Sequence, residues 1–174
     1  MKIILNPGHT LPNQPGAGAV SGKFIESNMT RQVTKELSRL LKAKGHSVVE
    51  CVVDKATSQN EYLKKVVQLA NSKDGDLFIS IHFNSSTSTQ ANGCEVYTWN
   101  GKKHIEAIKT CYELSLLNFK NRGIKKGDHL YVVRNTKAKA LLIEVCFISN
   151  PDDRTTYNKV GYAAIAKAIA DAIN

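Results

Sequence analysis

Asp76-Leu77-Phe78-Ile79-Ser80-Ile81-His82-Phe83-Asn84 is the stretch that decides the fold. Its β-branched and aromatic residues form a continuous apolar run, which is typical of a strand buried on both faces of a sheet. The polar loop of residues 85–89 follows, so His82 is expected where this central strand meets a loop at its carboxyl end. Ligands bind at that edge of open α/β sheets. A single histidine in such a place is more often structural than functional. A functional role for His82 therefore depends on other residues of the chain with matching chemistry.

Strand-like and helix-like segments alternate along the chain. Strands are predicted at residues 2–6, 46–53, 76–84, 93–99, 129–133 and 140–147. Helices are predicted to begin at Ser27 or Asn28 as the cap, near Ser58, near Lys102 and at Pro151. Such alternation implies right-handed crossovers. We therefore predict a single α/β domain over residues 1–174, with a twisted, mainly parallel sheet of about six strands and helices on both faces.

Two local predictions within this scheme can be checked against the structure. The segment from residue 7 to residue 22 contains three prolines and four glycines, so we expect it to be an irregular loop. The helix of residues 102–119 repeats apolar side chains at helical spacing and is predicted to bury them on one face. These side chains are Ile105, Ile108, Tyr112, Leu116 and Phe119.

Composition limits the classes of protein that fit. Lys and Arg exceed Asp and Glu by 24 to 15, a net charge of +9 that favours a polyanionic partner. The cations are scattered along helices without interleaved aromatics, which argues against a dedicated nucleic-acid-binding protein. No apolar stretch is long enough to insert into a membrane, and no signal peptide is visible at the start. The four cysteines form no Cys-x-x-Cys pair, so buried reduced thiols and synthesis in the cytoplasm are expected.

Four side chains in this chain have the chemistry of a catalytic metal site. His9 follows the first strand, His82 follows the central strand, Glu26 stands at the mouth of the first helix, and Glu144 lies within the last apolar run. If the first and central strands are parallel neighbours, these side chains converge at one edge of the sheet. Two imidazoles and one carboxylate are what a catalytic zinc ion takes, and a further carboxylate can act as general base.

Each acidic residue also has a structural interpretation. A glutamate in the first turn of a helix is favoured by the positive end of the helix dipole, which applies to Glu26. A salt bridge to one of the many lysines or arginines would account for Glu144. The remaining histidines, His46, His104 and His129, are interpreted as surface or strand-edge residues.

The whole set resembles the zinc-dependent N-acetylmuramoyl-L-alanine amidases of the amidase-3 type. The matching segments run in the family's order from residue 6 to residue 153: Asn6-Pro7-Gly8-His9, Glu26-Ser27, Ser80-Ile81-His82-Phe83-Asn84, Gly93-Cys94-Glu95-Val96-Tyr97, and residues 142–153. The family more often has aspartate where Asn6 stands. This difference leaves open whether Asn6 orients a ligand histidine through its amide oxygen.

The resemblance implies specific roles for the four residues. His9, Glu26 and His82 would bind one Zn²⁺ ion, Glu144 would be the catalytic carboxylate, and Asn84 is a candidate substrate contact. The implied partner is peptidoglycan, so the protein would act on the bacterial cell wall as a phage endolysin or a bacterial autolysin. The family often carries a separate cell-wall-binding domain, and none is visible in this chain.

Two other functions stay open at this point. One is a zinc carboxypeptidase that acts within the stem peptide. The other is a non-catalytic module that binds wall polymers through its positive charge.

Overall fold

A six-stranded sheet forms the centre of the protein, as seen in a computed structural model that describes residues 1–173. The strands of this sheet are β1 (Lys2–Asn6), β4 (Ser47–Glu50), β5 (Leu77–Asn84), β6 (Cys94–Thr98), β7 (Asn121–Lys126) and β8 (Lys139–Phe147). Their spatial order is β4-β1-β5-β8-β6-β7. The first four in this order are mutually parallel, and β6 is antiparallel to β8 but parallel to β7. The predicted six-stranded, mainly parallel sheet is confirmed.

Helices cover both faces of the sheet, because alternate strand residues point to opposite sides. On one face, Ile3 and Leu5 pack in a core with α1 (Glu26–Ala43), α3 (Ile105–Leu116) and α5 (Pro151–Ala172). On the other face, Ile4 packs in a second core with α2 (Gln59–Asn71) and α4 (Tyr131–Asn135). Within residues 1–173, no helix has the length and apolar character needed to cross a membrane. The two cores confirm the predicted arrangement of layers.

One predicted element near the far edge of the sheet is wrong, and one strand there was not predicted. Residues 129–133 were expected to form a strand, but α4 begins at Tyr131 and buries Val132 and Val133 against the sheet. The edge strand is instead β7, whose sequence Asn-Arg-Gly-Ile-Lys-Lys is mostly polar. Lysine residues on an edge strand keep a sheet from pairing with other chains. Because β7 is polar for this reason, it lacks the apolar run by which the other strands were predicted.

The structure also differs from the sequence prediction at three smaller points. The loop of residues 7–22 contains β2 (Val20–Ser21), which forms a short hairpin with β3 (Phe24–Ile25). Helix α1 begins at Glu26 after the extended residue Ile25, and no side chain caps it. Helix α3 buries Ala107, Cys111 and Leu114, whereas four of the five predicted core residues are exposed. Both faces of α3 carry apolar residues at helical spacing, so spacing alone did not identify the packed face.

Candidate metal centre

His9 is delivered to the centre by a tight turn after β1. Gly8 and His9 both have positive φ, at 52° and 63°. A Cβ atom on Gly8 would lie 2.4 Å from the carbonyl oxygen of Ile81, so only glycine fits there. A positive φ at a residue other than glycine is uncommon and is concentrated at functional sites. The strained turn brings the ring of His9 to the carboxyl end of β5.

Three side chains meet at this end of the sheet. The Nε2 atom of His9 lies 2.8 Å from Oε1 of Glu26 and 3.1 Å from Nδ1 of His82. The Nδ1 atom of His82 lies 3.3 Å from the same carboxylate oxygen. β1 and β5 are parallel neighbours, as the convergence of these side chains requires. The structure therefore brings together His9, Glu26 and His82, and these are donor atoms that could hold one metal ion.

Hydrogen bonds on the far side of each of these three side chains fix its orientation. The Nδ1 atom of His9 lies 2.9 Å from the carbonyl oxygen of Gly16, and Nε2 of His82 lies 3.0 Å from Oγ of Ser80. With a proton on each of these nitrogens, the lone pair of the other nitrogen faces the centre. The Glu26 carboxylate accepts hydrogen bonds from the backbone N–H groups of Ala19 and Phe83. All three side chains are thus oriented by contacts outside the centre.

Asn6 acts on the centre through an intermediate residue. Its Oδ1 atom accepts a hydrogen bond from Oγ of Ser80 at 2.8 Å, and that hydroxyl in turn contacts His82. The Nδ2 atom of Asn6 donates to the carbonyl oxygen of Cys51 at 2.7 Å. The amide oxygen of Asn6 therefore orients His82 by way of Ser80, in the place where the family more often has an aspartate.

Glu144 lies next to His82, with which it is paired in register across β5 and β8. It lines the same cavity as the three ligands, and its Oε2 atom has no hydrogen-bond partner among the described residues. Burial, followed by the negative charges of Glu26 and Glu95, raises the pKa of Glu144 well above its usual range. The salt bridge that could have explained this residue is absent from residues 1–173.

The surroundings of Glu26 and His82 also shift the pKa values of these two side chains. Burial opposes ionisation of Glu26, but hydrogen bonds with His82 and His9 outweigh it and hold the pKa of Glu26 well below its usual range. Burial lowers the pKa of His82 despite the opposing effect of Glu26. A carboxylate ionised at any working pH and an imidazole that resists protonation are the forms in which these residues bind metals.

The cavity in front of the centre has a volume of about 440 Å³. His9, Glu26, His82 and Glu144 all line it. Gln59, Tyr62 and Leu63 of α2 form part of its lining, as do His129, Leu130 and Tyr131 around the start of α4. Such a cleft, with polar groups converging at its base, is the usual form of a small-molecule or peptide site.

Asn84 also lines this cavity. Its Nδ2 atom donates to Oε1 of Glu95 at 3.0 Å, and its Oδ1 atom accepts a hydrogen bond from the backbone N–H of Ser85 at 2.8 Å. A role in binding substrate stays a prediction for this residue.

The sequence analysis missed a buried polar network beside Glu144. Glu95 is 2% exposed and accepts hydrogen bonds from Asn84, from the hydroxyl of Tyr97 and from the guanidinium of Arg122. The signal for Glu95 in the sequence was an acidic side chain within a short strand, between buried neighbours. His129 was interpreted as a surface residue; it is exposed, but it also lines the cavity and packs edge-on against Tyr97.

Comparison with known proteins gives a consistent result. The model of a family described as N-acetylmuramoyl-L-alanine amidase matches residues 3–174. A protein of Staphylococcus epidermidis named probable cell wall amidase LytH is 32% identical over 98% of the chain and 56% of its own length. An uncharacterised protein of Clostridium perfringens is 35% identical over the full chain and 52% of its own length. The chain thus spans about half the length of the curated relatives it matches.

Solved structures agree with this result. The catalytic domain of the CD27L endolysin, which targets Clostridium difficile, superposes with a TM-score of 0.89 at 30% identity, and the match covers 99% of this chain and 96% of that one. The catalytic domain of CwlV, an amidase from Bacillus (Paenibacillus) polymyxa, gives a TM-score of 0.79 at 26% identity, with 99% and 95% covered.

Proposed function

Since the chain belongs to the N-acetylmuramoyl-L-alanine amidase family, we propose that it hydrolyses the amide bond between N-acetylmuramic acid and L-alanine in peptidoglycan. The site of action would be the bacterial cell wall. The observation that carries this proposal is the meeting of His9, Glu26 and His82 at one point, with Glu144 on the floor of the same cavity. This constellation would supply a metal site and a separate acid–base group, the two elements of metal-assisted amide hydrolysis.

A single zinc ion fits the three donor atoms. Two imidazole nitrogens and one carboxylate oxygen lie 2.8–3.3 Å apart, and both rings are oriented so that a lone pair faces the centre. This donor set is common in catalytic zinc sites, which keep a further position for water or substrate. A bound zinc ion would polarise the scissile carbonyl and make a water molecule acidic enough to lose a proton near neutral pH.

The proton transfers of the reaction would be carried out by side chains of the protein. The Glu144 carboxylate would accept the proton of the attacking water and later deliver it to the departing nitrogen of L-alanine. Burial and the negative charges of Glu26 and Glu95 raise the pKa of Glu144, which favours proton uptake by its carboxylate. The side chains of α2 and α4 that line the cavity would hold the stem peptide, and Asn84 would contact the substrate through the second N–H of its amide.

The test combines metal analysis with identification of the products. Glu144→Gln should keep one zinc ion per chain and lose most of the turnover, by about 10²–10⁴-fold. Glu26→Gln and His82→Ala should lose the metal as well. Asp74→Asn removes an exposed carboxylate before the start of β5, at the end of that strand opposite to His82, and serves as the matched control. Wall lysis by Glu144→Gln at the rate of the unaltered protein would refute the role given to Glu144.

Mass spectrometry of the digested wall separates the alternatives. An amidase leaves a new amino group on L-alanine, whereas a zinc carboxypeptidase releases a terminal residue of the stem peptide. A non-catalytic binding module would contain no zinc and would leave the turbidity of a wall suspension unchanged.

A further inference from the structure

A second cavity lies on the same face of the sheet as the metal centre. Its volume is about 320 Å³, and Trp99 and Ala140 lie on its walls, directly after β6 and near the start of β8. Glu144 lies four residues after Ala140, a distance of roughly 13 Å along β8. Helix α4 stands between the two cavities: Val132 lines the first, and Val133 lines the second.

The lining of this second cavity is strongly basic. Its cationic and titratable side chains come from four separate parts of the chain: Lys102 and His104 before α3, Arg134 on α4, Lys137 in the following loop, and Lys139 on β8. Among residues 1–173, no carboxylate lines the cavity. The charges of the arginine and lysines are therefore concentrated on a concave surface, where such groups raise the local concentration of anions.

One carboxylate lies nearby, and it offsets only part of this charge. Glu106 is paired with Lys139, with Oε1 and Nζ 2.7 Å apart. Lys102, Arg134 and Lys137 form no ion pair within the described part of the chain. Burial, followed by the charges of Lys139 and Lys102, lowers the pKa of His104. A proton on this imidazole is disfavoured by the same positive field that would attract an anion.

We propose that this basic cavity, defined by Trp99, Lys102, His104, Arg134, Lys137 and Lys139, binds an oxyanion carried by a wall polysaccharide. The inference rests on the proposed function, because that function brings the protein to the wall. Arginine matches the geometry of phosphate and carboxylate groups, and lysines add point charges around it. The indole of Trp99 is 45% exposed and offers a flat apolar face to a sugar ring beside the anion.

Binding there would act as a second point of attachment. Two sites on one rigid domain that contact the same polymer bind it more tightly than either site alone. The cavity lies beyond α4, so a polymer held in it would leave the cavity in front of Glu144 open to a stem peptide. The site would increase occupancy of the wall without taking part in the chemical step.

The experiment compares two triple variants in the Glu144→Gln background, where walls are expected to stay intact. The cavity variant carries Lys102→Gln, Arg134→Gln and Lys137→Gln. The control carries Lys42→Gln, Lys55→Gln and Lys64→Gln, which removes the same charge from exposed positions on other parts of the surface. Sedimentation with purified bacterial walls that carry phosphodiester polymers measures the affinity, and thermal unfolding verifies that both variants are folded.

The cavity variant should bind these walls about tenfold more weakly, a loss of about 1.4 kcal/mol, and the control should change by less than about twofold. Walls stripped of phosphodiesters with hydrofluoric acid identify the source of the anion. A difference that disappears on stripped walls assigns it to phosphate, and one that persists assigns it to carboxylates. Equal binding by both variants on both kinds of wall would overturn the proposal. Lysis by the Glu144→Gln protein would instead count against the proposed function, and it is scored separately by turbidity.

Discussion

Glu144 lies directly opposite Glu95 across the antiparallel pair formed by β6 and β8. The two carboxyl groups have different surroundings. Glu95 is compensated by the guanidinium of Arg122, whose Nε atom is 2.8 Å from Oε2, and by hydrogen bonds from Asn84 and Tyr97. Glu144 has no cationic partner among residues 1–173. The two carboxyl groups therefore differ in their partners, and burial together with the charges of Glu26 and Glu95 raises the pKa of Glu144.

Glu95→Gln should move the acid limb of the pH–rate profile to lower pH. The negative charge of Glu95 is one of the causes that raise the pKa of Glu144, after burial and Glu26, so its removal lowers that pKa. A general base works only when it is deprotonated, and a lower pKa therefore keeps it active at lower pH. The measurement is kcat/KM against pH with a soluble muramyl peptide. Tyr97→Phe removes one hydrogen bond to Glu95 without a change of charge and should leave the limb in place. An unmoved limb in Glu95→Gln would show that Glu95 does not influence the base.

Gly18→Ala should weaken zinc binding by roughly 10–100-fold, the range found when the contacts that orient metal ligands are disturbed. A Cβ atom at Gly18 would lie 2.6 Å from Oε2 of Glu26 and 2.7 Å from Cδ2 of His9, so two ligands must move. Gly22 is the matched control, because it has a positive φ in the same loop but open space around its Cβ position. Competition with a chromophoric chelator measures the affinity. If Gly18→Ala and Gly22→Ala weaken zinc binding equally, backbone strain at positive φ, and not a contact with Glu26 and His9, determines the loss of affinity.

Arg31→Met should also weaken zinc binding by roughly 10–100-fold, because Arg31 holds the strained turn that carries His9. Its guanidinium donates to the carbonyl oxygens of His9 and Thr10, at 3.2 and 3.3 Å, and is itself fixed by Asp54 at 2.8 Å. A positive φ at a residue other than glycine costs on the order of 1–3 kcal/mol and persists only where the surroundings enforce it.

Arg39 provides the control for Arg31, since it lies on the same helix and pairs, among the described residues, only with the neighbouring Glu36. Arg39→Met should retain the zinc affinity of the unaltered protein in the same chelator competition. If Arg31→Met retains it as well, the turn is held by other contacts and Arg31 has no positioning role.

Much of the fold could be predicted because the residue pattern of each segment agrees with its place in the sheet. The apolar run of β5 is typical of a central strand, and its ending in His82 placed that histidine at the edge where β1 also ends. The four residues chosen from the sequence line one cavity for this reason. Glu95 was missed because its environment depends on pairing between β6 and β8, which no local pattern reveals.

The errors at β7, α4 and α3 arise because apolar patterning alone does not specify which element forms or which of its faces is packed. Strand β7 is polar because it is an edge, and the apolar residues of α4 cover the sheet from a helix. Helix α3 has two apolar faces. The face that packs in the core carries the small residues Ala107 and Cys111, which allow the helix to approach the sheet closely. Ile105, Ile108, Tyr112 and Leu116 are left 44–59% exposed.

Alanine substitutions on α3 test this assignment of its faces. Leu114 is fully buried and Leu116 is 59% exposed, so the same change probes opposite sides of one helix. Leu114→Ala should lower the free energy of unfolding by about 2–5 kcal/mol, the range for a cavity in a packed core. Leu116→Ala should change it by less than about 0.5 kcal/mol, as is usual for surface positions. Urea denaturation at several protein concentrations measures both, and similar m values would show that the two variants unfold from the same native state. A large loss at Leu116 that grows with protein concentration would mean that another copy of the chain covers the exposed face in solution.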